Sequence, residues 1–176
     1  MTLNNIFSTF PTLTTERLTL RQLLETDVQQ VLLLRSDATV NKYLDRKPTA
    51  TREEAISFIR KVNDNFKNNA GVYWAISKRG EEKLIGTICI FNFSGELKSC
   101  EIGYELLPGY HGQGIMNEAL KKVIEFSFHT FGVETIEACT HKDNHGSAKL
   151  LQKFNFEKTT IIDAANPGLI VFRLSK

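Results

Sequence analysis

A mixed α/β domain is what this sequence predicts, on three observations. Cys100–Lys122 reads as strand, glycine-rich turn and helix. Ile102, Tyr104 and Leu106 alternate with Glu101, Gly103, Glu105 and Leu107, the period of two of a half-buried strand. Pro108-Gly109 ends it, and Ile115, Ala119, Leu120, Val123, Ile124 and Phe126 then fall near one helical face. The second observation is an antiparallel meander. Val72–Ser77 and Leu84–Phe93, joined by the hairpin turn Lys78-Arg-Gly-Glu-Glu-Lys83, lead into the Cys100 strand. The third lies beyond the helix, which Gly132 ends. Val133–Thr140 is again a strand, and a helical crossover requires it to run parallel to the one before.

The remaining elements follow in order. Residues 1–13 read as a loose lead-in. Thr15–Leu23 is the first strand, with Leu18 and Leu20 inward and Arg17 and Arg21 on a solvated face where they pair with neighbours, substrate contact being their other role. Asp27–Arg35 is a short helix for which Thr26 is the cap, and Asp37–Leu44 is a second, stopped by Lys47-Pro48. Thr51-Arg-Glu-Glu54 is a capping box, opening a third helix with Ala55, Ile56, Ile59, Val62 and Phe66 as its buried stripe. Polar Asn63–Gly71 closes that helix, and Gly95 with its polar neighbours turns the chain into the Cys100 strand. Past Thr140, Asn144 caps a helix over Gly146–Phe154, and Asn155 takes a left-handed C-cap. Glu157–Ile162 and Leu169–Leu174 form a closing hairpin around Asn166-Pro-Gly168.

A chain of 176 residues fits a single domain, 1–176, with a sizeable core. A net charge of +2 supplies no electrostatic footprint for nucleic acid or a membrane surface. Cys89, Cys100 and Cys139 are odd in number and lack a Cys-x-x-Cys, so they read as buried reduced thiols rather than a disulfide framework or zinc knuckle. His141 and His145 have metal-like spacing without a third ligand, so no metal site is expected. The opening MTLNNIFSTFPTL has neither a basic n-region nor a long apolar run, which predicts a cytoplasmic protein without signal peptide or membrane span.

The chemistry concentrates at His111-Gly-Gln-Gly114. Two glycines ahead of a helix let backbone N–H groups approach a ligand, and the helix N-terminus adds unpaired donors and partial positive charge. Such a turn is either a plain strand-to-helix corner or a phosphate cradle. A dinucleotide fingerprint is disfavoured. Asn117 stands where its third glycine belongs, and Glu134 and Glu137 lie at the start and middle of a strand rather than at its end. A P-loop is excluded because no Gly-Lys-Ser/Thr follows.

The stretch resembles the pyrophosphate-binding segment of the GNAT superfamily of acyl-CoA N-acyltransferases. Its pattern, Arg/Gln-x-x-Gly-x-Gly/Ala, falls on His111-Gly112-Gln113-Gly114-Ile115-Met116. Gly114 matches the central glycine, whereas His111 and Met116 replace Arg/Gln and a small residue. Thr15-Glu-Arg-Leu-Thr-Leu-Arg21, Glu101-Ile-Gly-Tyr104 and Asn117-Glu-Ala119 resemble the RimJ/RimL type, the ribosomal-protein N-terminal acetyltransferases and their relatives.

The resemblance implies the acyl-CoA N-acyltransferase fold, a central mixed sheet of about seven strands flanked by helices, with the fourth and fifth parallel and splayed. It implies acetyl-CoA as cosubstrate, held by Leu106, Leu107, His111, Gly112, Gln113, Gly114, Ile115, Met116, Asn144 and Ser147. A bulge at Leu106-Leu107 would free a backbone N–H for the oxyanion, a contribution of ~3 kcal/mol. Glu101 matches the family's strand-four carboxylate and is the candidate base. It shares a face with Glu105, either as a coupled pair or as two solvated charges. Ser147 is either a first-turn helix serine or the hydroxyl that meets the CoA sulfur. Tyr110 is an alternative acid, and Leu151 occupies the place where many relatives carry a tyrosine. Tyr43 and Phe66 lie in the helical region that frames the acceptor site, with core packing as their other role.

The implied function is transfer of acetyl to a primary amine, led by the N-terminus of a protein such as a ribosomal protein. A small-molecule amine (polyamine, amino acid or antibiotic) and a non-catalytic CoA-binding protein are the alternatives. The implied partners are acetyl-CoA and the acceptor, with no nucleic acid or membrane, in a monomer or homodimer.

Overall fold

The computed structural model describes residues 8–94, 98–161 and 166–176. Its strands are β1 (Leu13–Thr14), β2 (Leu18–Gln22), β3 (Gly71–Lys78), β4 (Leu84–Phe91), β5 (Ser99–Leu106), β6 (Thr135–His141), β7 (Glu157–Lys158) and β8 (Leu169–Ser175). They form one open sheet in the order β1-β2-β3-β4-β5-β6-β8-β7. Every pairing is antiparallel except β5 with β6, where the crossover helix imposes the parallel direction. The helices are α1 (Val28–Ser36), α2 (Ala38–Asn41), α3 (Arg52–Lys67), α4 (Ile115–Phe126) and α5 (His145–Lys153). Among the described residues, no helix is long and apolar enough to cross a membrane.

The sheet's alternation divides the core. Trp74 and Ala75 are neighbours on β3, both fully buried, and therefore face opposite ways. Trp74 joins the cluster that seats α4 and α5 through Ile115, Ala119, Leu120, Val123 and Leu151. Ala75 joins the cluster that seats α1 and α3 through Val31, Leu34, Ala55 and Ile59. Helices thus cover both faces, and β5 gives Cys100, Ile102, Tyr104 and Leu106 to the first cluster while Glu101, Gly103 and Glu105 face the other way.

The predicted signals at α3 and α5 hold. Thr51 Oγ1 accepts from the Glu54 amide at 3.2 Å, and Glu54 Oε2 accepts from Thr51 N at 3.3 Å. Asn144 Oδ1 accepts from the Ser147 amide at 3.1 Å. Asn155 has φ 62° and Gly132 φ 73°, the left-handed conformations expected at helix ends.

Several expectations are corrected. The lead-in is not loose where it is described. Leu13 pairs with Leu20, Trp74 Nε1 donates to Pro11 O at 2.6 Å, and the Phe10 ring packs against Phe66 at 5.0 Å. The extra strand β1 makes eight strands rather than about seven. Thr26 caps nothing: a 3-10 turn at Glu25–Asp27 precedes α1, and the buried Asp27 carboxylate takes the Leu24 amide at 2.8 Å. Arg21 is not solvated, because Asp27 accepts from both its Nη atoms at 2.8 Å. The second helix stops at Asn41, short of Leu44, after Asp37 has capped its N-terminus. Cys100 is buried, but Cys89 is half-buried and Cys139 exposed on β6. Gly95 and Ile162, which the sequence places in a turn and a strand end, lie outside the described residues.

Candidate active site

The parallel pair β5/β6 is short. Only Ser99, Cys100 and Glu101 register with Thr135, Ile136 and Glu137; from Ile102 onward the strands separate. On its other side β5 stays in register with β4, from Glu101 opposite Phe91 to Leu106 opposite Gly86. Leu107 N donates to Ile85 O at 3.0 Å, which makes Leu106/Gly86 a non-hydrogen-bonded pair. The backbone groups of Leu106, and by alternation those of Tyr104, therefore turn away from β4 toward the gap. The expected bulge on β5 is absent. The irregularity lies instead between β3 and β4, where Ile76 faces Gly86 and Ser77 faces Leu84. The free edge arises from the separation of β6, not from a bulge.

Beyond Leu107 the chain makes a turn, Pro108–Tyr110, and reaches α4. His111 Nε2 donates to the inward-facing Leu106 O at 2.9 Å, and Gln113 Nε2 donates to Gly109 O at 2.9 Å. Gly112 and Gly114 have φ 72° and 75°, a conformation that glycine adopts without strain. Arg17 fixes this turn from behind. Its Nη1 donates to Gln113 O at 3.1 Å and its Nε to Glu118 Oε2 at 2.6 Å. Glu118 also accepts from Arg17 N at 2.9 Å and from the Thr15 hydroxyl. Desolvation acts against it, but those bonds hold the Glu118 carboxyl below its ordinary range. Arg17 is thus a brace for the cradle, acting from the solvated face that its alternation suggests, with its side chain half exposed.

On the α5 side of the gap, the Tyr104 and Ser147 hydroxyls are hydrogen-bonded at 2.8 Å. Burial pushes the Tyr104 phenol up to about 12, against the lowering effect of Ser147. On α4, Asn117 Oδ1 is buried without a hydrogen-bond partner. A buried acceptor left unsatisfied costs about 1–3 kcal/mol, so the site offers a place for a ligand donor.

The opposite wall carries charge. Both Glu105 oxygens accept from Arg46, through Nη1 and, at 3.1 Å, Nη2. Arg35 Nη1 stands 3.9 Å from Glu105, and its guanidinium lies 3.8 Å from the centre of the Phe58 ring. Burial and then Arg46 push the Arg35 guanidinium down, with Glu105 opposing them. The Tyr43 ring stacks on His141 at 5.7 Å.

Together these walls enclose a cleft of about 600 Å³. Of the predicted residues, Leu106, His111, Gly112, Gly114, Ile115, Met116, Asn144 and Ser147 line it, as do Tyr43 and Tyr110. Leu107 instead packs into the α1/α3 core, and Gln113 lies in a shallow surface depression with Arg17 and Lys78. Phe66 is a core residue. Glu101 is not brought to the cleft. It pairs opposite Glu137 at the closed end of β5 and accepts from Asn92 Nδ2 at 3.0 Å. Four strand residues, about 13 Å, separate it from Glu105. Sequence reasoning missed Tyr104, whose only signal was a hydroxyl on the apolar face of its strand. It also missed Arg46, for which a chain separation of 59 residues from Glu105 leaves no local signal. Among the described residues, no group of three or more His, Cys, Asp or Glu is placed to hold a metal ion.

The family model for the acetyltransferase (GNAT) domain matches residues 17–157. The chain belongs to the GNAT acetyltransferase family. The uncharacterized N-acetyltransferase YoaA of Bacillus subtilis (strain 168) is 32% identical over 153 residues, 87% of this chain and 86% of that one. The [ribosomal protein uS5]-alanine N-acetyltransferase of Escherichia coli (strain K12) is 30% identical over 101 residues, 55% of this chain and 50% of its own. Among solved structures, RimL, the ribosomal L7/L12 α-N-protein acetyltransferase in complex with coenzyme A, superposes with a TM-score of 0.82 at 18% identity. It covers 94% of this chain and 98% of that one. The GNAT fold, with its parallel pair at the centre of a mixed sheet, is the architecture described above, and the protein is an acetyltransferase.

Proposed function

We propose that the protein transfers acetyl from acetyl-CoA to a primary amine by direct attack, and that the acceptor is the N-terminal α-amine of a protein such as a ribosomal protein. The observation that carries the first part is the open edge of β5 at Tyr104 and Leu106, leading straight into the glycine cradle at α4. A pantetheine arm has alternating amide donors and acceptors that suit such an edge, and a pyrophosphate suits a helix N-terminus. The orphan Asn117 oxygen and the Asn144 and Ser147 side chains add polar partners along the path. RimL with CoA, and the microcin C7 self-immunity protein MccE with acetyl-CoA and AMP, support the choice of cosubstrate. The uS5-alanine enzyme and RimL support the choice of acceptor.

In the reaction the amine nitrogen attacks the thioester carbonyl carbon, the C–N bond forms, and the C–S bond breaks with its electron pair going to sulfur. The Leu106 N–H, turned toward the gap, is available to the oxygen as it gains charge. Tyr104 remains protonated at neutral pH and, with Ser147, is placed to give the sulfur a proton. The attacking nitrogen releases one proton to water and Tyr104 takes one back from water, so the transfer is proton-neutral overall. A protein α-amine titrates near ~8, so a strong base is not required. The sequence-based candidate Glu101 retains that role only through a path that its bond to Asn92 and its closed-end position do not favour.

Thermal unfolding with acetyl-CoA, CoA, NADH and ATP in parallel tests the reading. A ligand at a hundred times its Kd stabilises by ~2.7 kcal/mol, a shift of several degrees for a domain of this size. A shift with both CoA species and none with NADH is expected. No shift with saturating acetyl-CoA would end the proposal.

A further inference from the structure

We infer that the acceptor carries a single positive charge, the reacting amine itself, and that Arg46 enforces this. The inference rests on the acetyltransferase reading and sharpens its substrate class. A polycation is recognised by carboxylates that have no other partner. Among the described residues lining the cleft, Glu105 is the one carboxylate, and it is already taken. Arg46 covers both its oxygens, and Arg35 stands behind at 3.9 Å. Two guanidinium groups against one carboxylate leave this wall at +1, and Lys42, on the lining beside Tyr43, adds to it.

Arg46 is also locked. Its Nε donates to Asn41 Oδ1 at 2.8 Å, and Asn41 Nδ2 donates in turn to Arg35 O and Asp37 O, each at 2.8 Å. Arg35 Nε donates to Thr49 Oγ1 at 3.2 Å. The Arg46 and Glu105 side chains are only 19% and 12% exposed, so this pair is not a surface pair that opens freely to solvent. The nearby Asp45 is exposed, outside the lining, and accepts from Asn166 Nδ2 at 3.5 Å. A second ammonium entering beside the reacting one therefore meets positive charge on this wall and no free carboxylate. A peptide N-terminus followed by uncharged residues meets no such opposition, and its neutral amine form is the nucleophile in any case. Spermidine and aminoglycosides fall outside the class.

The test titrates the CoA-loaded protein, and separately the ligand-free protein, with spermidine by calorimetry. In parallel it compares acetyl transfer to spermidine and to a tetrapeptide with a free N-terminus and no charged side chains. For the natural chain no spermidine binding is expected, with kcat/KM for spermidine at least tenfold below that for the peptide. Arg46→Met uncovers both Glu105 oxygens, leaves Arg35 behind them and takes the wall from +1 to zero, and the spermidine-to-peptide ratio should rise at least tenfold. Spermidine binding to the natural chain that Glu105→Gln abolishes would overturn the inference. So would an Arg46→Met variant that binds acetyl-CoA with no change in the ratio. If Arg46→Met does not fold, the natural chain's titration decides alone. Absence of a thermal shift with acetyl-CoA would bring down the transferase reading, while spermidine binding to the ligand-free protein would still report the charge of the wall.

Discussion

The two halves of β5 share one strand and differ in their neighbours. Ser99 to Glu101 pair with β6, and Glu101 pairs with β4 as well, whereas Tyr104 and Leu106 have β4 on one side and the cleft on the other. Each half carries a carboxylate on the same face. Glu101, in the closed half, is held by Asn92; Glu105, in the open half, is held by Arg46 on the cleft wall. Residue type and alternation are the same, so the difference is one of pairing. Where the ladder closes on both sides the backbone is spent on the sheet, and where it opens on one side the backbone is left for a ligand.

The largest expected effect comes from forcing the open half out of place. A Cβ at Gly86 would lie 2.6 Å from Glu105 O and 2.8 Å from Leu106 Cδ1. Gly86→Val should therefore lower the melting temperature by several degrees, an overpacking cost of about 1–3 kcal/mol. It should also weaken acetyl-CoA binding more than tenfold in a calorimetric titration. Unchanged binding would mean that the Leu106 edge does not hold the cosubstrate.

A smaller loss is expected within the open half. Because a thiolate leaves readily without a strong acid, Tyr104→Phe and Ser147→Ala should each reduce kcat only about fivefold to tenfold with little change in KM for acetyl-CoA, and the double variant should fall no further. Additive losses in that cycle would separate the two hydroxyls. Burial raises the Tyr104 pKa to about 12, so the phenol is lost as a donor only as pH rises toward that value. The alkaline limb of kcat should accordingly show no fall from this group across the ordinary tyrosine range near ~10.

The smallest effect belongs to the closed half. Glu101→Gln should change kcat by less than about twofold, because the side chain does not reach the cleft and the half-buried amide that replaces the carboxylate can still meet Asn92. A hundredfold fall in steady-state turnover with unaltered acetyl-CoA affinity would restore Glu101 as the base and reverse the ranking of the two halves.

What was legible in the sequence is local. The alternation of β5, the glycines before α4, the Thr51 capping box and the Asn144 cap each depend on residues within a few positions of one another, and each is found where it was expected. The cleft's polar pairs are not local. Tyr104 meets Ser147 across 43 residues, and Arg46 meets Glu105 across 59. Nothing in the spacing of either partner encodes the encounter; the sheet topology creates it. The same reason explains Arg17, which is exposed as its alternation implied, but whose partner Glu118 comes from α4, 101 residues away. It bears on Glu101 as well. A family pattern locates a carboxylate on a strand, but which carboxylate faces the ligand depends on where β6 parts from β5.

The anchoring of residues 10–14 has a practical optical consequence. Trp74 is the only tryptophan in the chain; it is fully buried, tied to Pro11 through its indole N–H, and set edge-on against Phe126 of α4 at 5.8 Å. Its emission therefore reports at one point the docking of the chain's first described segment, the central strand and the crossover helix. Detachment of residues 8–13 alone should redden that emission before the far-ultraviolet helical signal changes, giving a label-free record of whether the molecule comes apart in one step or from its N-terminal strap inward.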